Sequence, residues 1–62
     1  MSEMVPIEAQ IACVEREIKM RERVYPRWIE AKRMTQKKAD EEIAAMRGVL
    51  ETLRKSKVDL FT

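Results

Sequence analysis

The sequence predicts an all-α chain: an antiparallel two-helix coiled-coil hairpin that dimerises into a four-helix bundle. Three observations carry this. The 62 residues hold one Gly and two Pro, with 39% charged and 45% hydrophobic residues, a composition of long amphipathic helices. Apolar residues recur at alternating steps of four and three through both halves of the chain. Stripe positions on the two halves can also be paired so that their numbers always add to 67 or 68, as two helices folded back on each other require.

The first helix is expected over about residues 6–32. Pro6 suits a first turn, where its missing N–H would have no partner anyway. Ile7, Ile11, Val14, Ile18, Arg21, Tyr25 and Trp28 then form the stripe, with Arg21 its one polar member. Pro26 deletes the bond to the Glu22 carbonyl. Because the a/d phase passes through it unbroken and Tyr25 is a poor N-cap, the sequence favours a continuous helix kinked near Pro26. A short turn follows, with Thr35 as N-cap of the second helix and Met34 set to pack on Ala39 as a hydrophobic staple.

The second helix is expected over about 36–55, with Ala39, Ile43, Met46, Leu50, Leu53, Lys57 and Leu60 continuing the stripe into a tail at 56–62. A connection this short brings the helices back antiparallel. The pairing puts Trp28 against Ala39, Tyr25 against Ile43 and Ile18 against Leu50. Arg21 then faces Met46, within reach of Glu17 or Glu42. Gly48 costs about 1 kcal/mol in mid-helix unless another helix approaches there.

A chain of this length buries only roughly 60% of the surface its unfolded form exposes, so further association is expected. Cys13, Met20, Val24 and Ile29 beside the first stripe, with Ala45, Val49 and Thr52 beside the second, suggest the seam of a homodimer. The competing reading is a docking groove for a different protein. Cys13 reads as a small buried filler. Without His and with a single Cys there is no imidazole acid–base pair, zinc finger or internal disulfide. The expectation is no enzyme, no metal and no cofactor. No apolar run is long enough to span a membrane and residues 1–10 do not read as a secretory signal, so a cytoplasmic protein is expected.

Charge is unevenly spread. Residues 21–38 hold seven basic and two acidic residues, net +5, inside a chain of net +2. Arg23, Arg27, Lys32, Arg33, Lys37 and Lys38 would gather at the hairpin tip. One reading is contact with nucleic-acid phosphates, independent of sequence. The other is a solvated helical face, favoured because Tyr25 and Trp28 occupy stripe positions and are not free to stack on bases.

The segment Ser56-Lys57-Val58-Asp59-Leu60-Phe61-Thr62 resembles the bacterial sliding-clamp-binding motif, usually written Gln-Leu-(Ser/Asp)-Leu-Phe. Val58, Asp59, Leu60 and Phe61 match or nearly match it, while Lys57 stands in place of the Gln and removes its pocket-binding amide. The resemblance implies Leu60 and Phe61 as adjacent apolar anchors in a preformed cleft, with Val58 in a shallower site. The alternative is that Leu60 packs on Ile7 as a last helical turn and Phe61 covers the end of the bundle.

The run from Ile11 to Trp28, with Val24-Tyr25-Pro26-Arg27-Trp28 its most specific part, followed by Arg33-Met34-Thr35 and Glu42-Ile43-Ala44-Ala45-Met46, resembles small proteins encoded in bacteriophages and prophages. Their functions are unassigned, so no active residues carry over. The resemblance implies a context: an interaction factor acting in the host bacterial cytoplasm on host machinery, the sliding clamp being the named candidate, or on phage DNA metabolism. Three readings therefore stand: a protein–protein module, a nucleic-acid-associated accessory protein, and a structural or assembly coiled coil.

Overall fold

Pro6 starts the first helix through its carbonyl, which accepts from the amides of Ala9 and Gln10 at 3.0 and 3.1 Å. The Gln10 side-chain Nε2 donates to the Val5 carbonyl at 2.9 Å and ties down the residue before Pro6. In the computed structural model, which describes residues 5–61 except the side chains at 60 and 61, the chain forms α1 (Ile7–Glu30) and α2 (Gln36–Phe61). They pack on each other as a helical hairpin, with no strand among the described residues. The molecule measures 45 × 26 × 17 Å, and helices of this length account for its long dimension at about 1.5 Å per residue.

Helix α1 is continuous through Pro26. It stops at Glu30, two residues short of the expected end, because the backbone reverses hand at Lys32, whose φ is 60°. The Lys32 amide donates to the Ile29 carbonyl at 3.0 Å and the Arg33 amide to that of Trp28 at 2.8 Å. These are the two bonds of a Schellman ending, in which glycine usually holds the left-handed position. A lysine there carries a steric cost that glycine avoids. Lys32→Gly is expected to stabilise the hairpin by about 1 kcal/mol, seen as a rise of roughly 4–8 °C in melting temperature at fixed protein concentration.

Thr35 caps α2 as its sequence position suggests. Its hydroxyl oxygen accepts from the Lys38 amide at 3.1 Å, and its carbonyl accepts from Ala39 at 3.0 Å. The helix then runs to Phe61, so residues 56–61 extend α2 instead of forming the separate tail expected from 56 onward. Nothing between Gly48 and Phe61 breaks a helix, and Lys57 continues the stripe half-buried. The expected packing of Leu60 on Ile7 lies outside the described residues.

Among the described residues, Ile18, Tyr25, Ala39 and Leu50 form the buried centre. Ile7, Ile11, Val14, Ile43, Met46 and Leu53 are half-buried around them along the expected stripe. Trp28 departs from its expected core place and is 44% exposed. It lies in the last layer before the turn, where only the first turn of α2 stands across from it. Its ring instead leans on Tyr25, with centroids 5.7 Å apart and planes tilted by 39°. Cys13 is exposed in the single hairpin and is not the buried filler expected.

Arg21 solves its place in the stripe by turning along its own helix. Its Nη1 donates to the Tyr25 hydroxyl at 3.3 Å, and its Nη2 lies 3.5 Å from Glu17 Oε1. Tyr25 first, and Glu17 to a lesser degree, hold the guanidinium pKa above its ordinary value. Glu42, the other expected partner, faces Lys38 at 3.9 Å instead.

Candidate interaction surfaces

Heptad letters sort the outside of the hairpin into two flanks. With Ile18, Tyr25, Ile43 and Leu50 at a, Glu15 and Glu22 fall at e of α1, and Arg47 and Arg54 at e of α2. In an antiparallel pair, e positions meet each other on one side and g positions on the other. The structure has Arg47 bonded to Glu22, and Arg54 to Glu15 at 2.8 Å. These two bridges sit one heptad apart and belong to pairs whose numbers add to 69. Exposed pairs of this kind are worth at most about 1 kcal/mol each, but a slipped register would misalign both together. The sevenfold spacing of Glu15 with Glu22, and of Arg47 with Arg54, is a signal that stripe counting alone passed over.

The e flank also carries a groove of about 700 Å³ near the tip, floored by Tyr25, Pro26, Ile29, Ile43 and Ala44 and bordered by the Glu22–Arg47 bridge. Ile29 belongs here. It was expected beside Cys13, Met20 and Val24, but five residues at 100° each carry it about 140° around the helix from Val24.

The g flank is different in character. Met20, 41% exposed, and Val49, 47% exposed, lie on it with Cys13 and half-buried Val24. Cys13 and Gln10 of α1 share a shallow groove with Val49 and Leu53 of α2, which places the side residues of both helices on one surface. Ala45 and Thr52 extend this surface along α2, both exposed.

At the tip, the six expected cations are all exposed but do not form one patch. Lys32, Arg33 and Lys38 surround a hollow of about 630 Å³ whose apolar side is Trp28, Ile29 and Met34. Arg23, Arg27 and Lys37 are exposed but do not line that hollow. The exposure of Trp28 removes one reason for reading the tip as merely solvated, since this residue is 44% exposed beside three cations.

Val58 and Asp59 are exposed on the last turns of α2. The side chains of Leu60 and Phe61, the other two expected partner-binding residues, lie outside the described residues. Among the described residues no group of His, Cys, Asp or Glu is arranged to hold a metal ion, and no helix is long and apolar enough to cross a membrane.

Comparison with protein-family models, with curated proteins and with solved structures finds no match. The functional reading therefore rests on the chain's own surfaces.

Proposed function

We propose that this chain is a protein–protein interaction module: a helical hairpin that pairs with a second copy through its g flank and keeps its tip and C-terminal turn for a host partner. One observation carries the reading. Met20 and Val49 stand more than two-fifths exposed on the same flank as Cys13 and Val24, while only four of the described residues are buried. Apolar side chains grouped on one face, beside so small a core, gain most from being covered by another helical pair.

Sedimentation equilibrium across micromolar concentrations tests it. The intact chain is expected to dimerise, and Met20→Glu/Val49→Glu to weaken that association by at least roughly a hundredfold, since desolvating charge at a seam costs several kcal/mol. Circular dichroism should show helix content unchanged, because neither residue belongs to the buried centre. A dimer as tight as the parent's would remove the g flank from consideration.

The named host candidate is the sliding clamp, reached through Val58, Asp59, Leu60 and Phe61. Consecutive helical residues are set about 100° apart around the axis, so seating positions 60 and 61 in one cleft calls for the last turn to unwind, a small cost at a helix end. Retention on immobilised clamp should drop in Leu60→Ala/Phe61→Ala. Equal retention of variant and parent, or none of either, ends the clamp reading.

The second reading, nucleic-acid binding, draws support from Trp28, exposed among Lys32, Arg33 and Lys38. Binding through those three cations would give log K a slope of about −3 against log salt on duplex DNA. Retention that does not change with salt would argue against it.

A further inference from the structure

We propose that the hollow at the hairpin tip docks an acidic protein segment carrying an apolar anchor, with the anchor against Trp28 and Met34 and its flanking carboxylates on Lys32 and Arg33. This rests on the tip being kept for a partner and adds that partner's chemistry.

The hollow offers two kinds of wall at once. Trp28, Ile29 and Met34 make its apolar side, and Lys32, Arg33 and Lys38 stand around it, so the end of α1, the turn and the first turn of α2 all contribute. Among the described residues no carboxylate lines it. Glu30 and Asp40, the acids on either side of this stretch, line the e-flank groove instead, and Glu42 lies 3.9 Å from Lys38 farther along α2. Lys32 and Arg33 have no ion-pair partner among the described residues, so their charge is uncommitted.

Lys32 supplies an independent observation. Its backbone holds the left-handed conformation, φ 60°, at the one position of a Schellman ending where glycine would relieve the steric cost. A turn that had only to reverse the chain would be better served by glycine. What lysine adds is a cation lining the hollow, and strain held on a residue of a candidate site points to a use for that residue. Trp28, 44% exposed, lies beside it, and Trp and Arg are the side chains that most often anchor an interface.

The two walls together select the occupant. A free inorganic anion would use the cations and leave the apolar side bare. A duplex needs cations strung along its phosphates, whereas Arg23, Arg27 and Lys37 do not line the hollow. A single strand could stack a base on Trp28 but gains little from Ile29 and Met34. A segment with neighbouring carboxylate and apolar side chains uses every wall.

Trp28 is the chain's single tryptophan, so its emission reports this site. The intact chain is titrated at low salt with a capped hexapeptide of two leucines flanked on each side by two glutamates. Covering the indole is expected to shift its emission to shorter wavelength. The dissociation constant should be at least about tenfold lower than for counterparts with glutamine in place of glutamate or serine in place of leucine. Lys32→Asn/Arg33→Gln should weaken binding about tenfold and melt no lower than the parent, because asparagine takes the left-handed backbone more readily than lysine. Arg23→Gln/Arg27→Gln removes the same charge outside the hollow and should leave binding within about threefold.

Equal binding of the glutamate peptide and either counterpart, equal loss in the two double variants, or no saturable shift up to about 1 mM overturns the proposal. So does a thymidine octanucleotide that binds more tightly than the glutamate peptide, which gives the tip to nucleic acid. The dimer test makes no use of the tip. A chain that dimerises and ignores the peptide therefore defeats this proposal alone, and a monomeric chain that binds it defeats the dimer alone.

Discussion

Tyr25→Ala is expected to remove most of the hairpin's stability at 25 °C. Tyr25 is one of only four buried residues and the only buried aromatic among the described ones. It packs between the helices, supports the indole of Trp28, and accepts a hydrogen bond from Arg21. Truncating a buried aromatic costs about 3–5 kcal/mol, and a chain of this length holds about 3–9 kcal/mol in all. Urea titration with helix content as readout measures the loss. Tyr25→Phe separates its causes: the ring remains and only the 3.3 Å bond from Arg21 is lost, so it should cost about 1 kcal/mol or less. If Tyr25→Ala melts within a few degrees of the parent, the hairpin is held elsewhere, and the dimer seam becomes the first place to look.

Pro26→Ala should act in the opposite direction, with the largest gain of any single change. Pro26 sits inside α1 on an exposed position. It has no N–H to give the Glu22 carbonyl and crowds that carbonyl with its ring. Alanine is better by about 3 kcal/mol in a helix interior. Part is lost because proline also restricts the unfolded chain, by about 0.4–1 kcal/mol, leaving roughly 2 kcal/mol. For a domain of this size that is about 8–16 °C in melting temperature, measured at one concentration because association shifts the midpoint. No gain would mean that the α1 backbone already accommodates the proline at little cost. Pro26 also forms part of the e-flank groove beside Tyr25 and Ile29, so a stabilised variant that lost partner binding would identify that groove as a working surface.

How far the sequence reaches is seen most clearly at Thr35, Arg21 and Trp28. Thr35 caps α2 because a cap depends on residues within one turn, all adjacent in the chain. Arg21 reaches Glu17 for the same reason, one turn away on its own helix. Trp28 has the right phase for the core but too little structure opposite it, since α1 ends two residues later. Periodicity reports direction around a helix and carries no information on how much protein stands in that direction. Cys13 went the same way: its phase places it on a side surface, and a single hairpin has nothing to cover that surface. The six tip cations were legible as a composition and not as a patch, because neighbours in sequence point to different faces of their helices and the turn decides which ones share a hollow.

The sequence by itself determined two helices, their antiparallel pairing and the cap that starts the second. Those depend on local bonds and on a heptad phase that runs along the chain unbroken. Only the tertiary structure decided where α1 stops, that α2 continues to Phe61, which aromatic is buried and which flank is bridged by Glu–Arg pairs. Each of these depends on what stands across from a residue, and that neighbour belongs to a distant part of the chain brought close only when the hairpin closes.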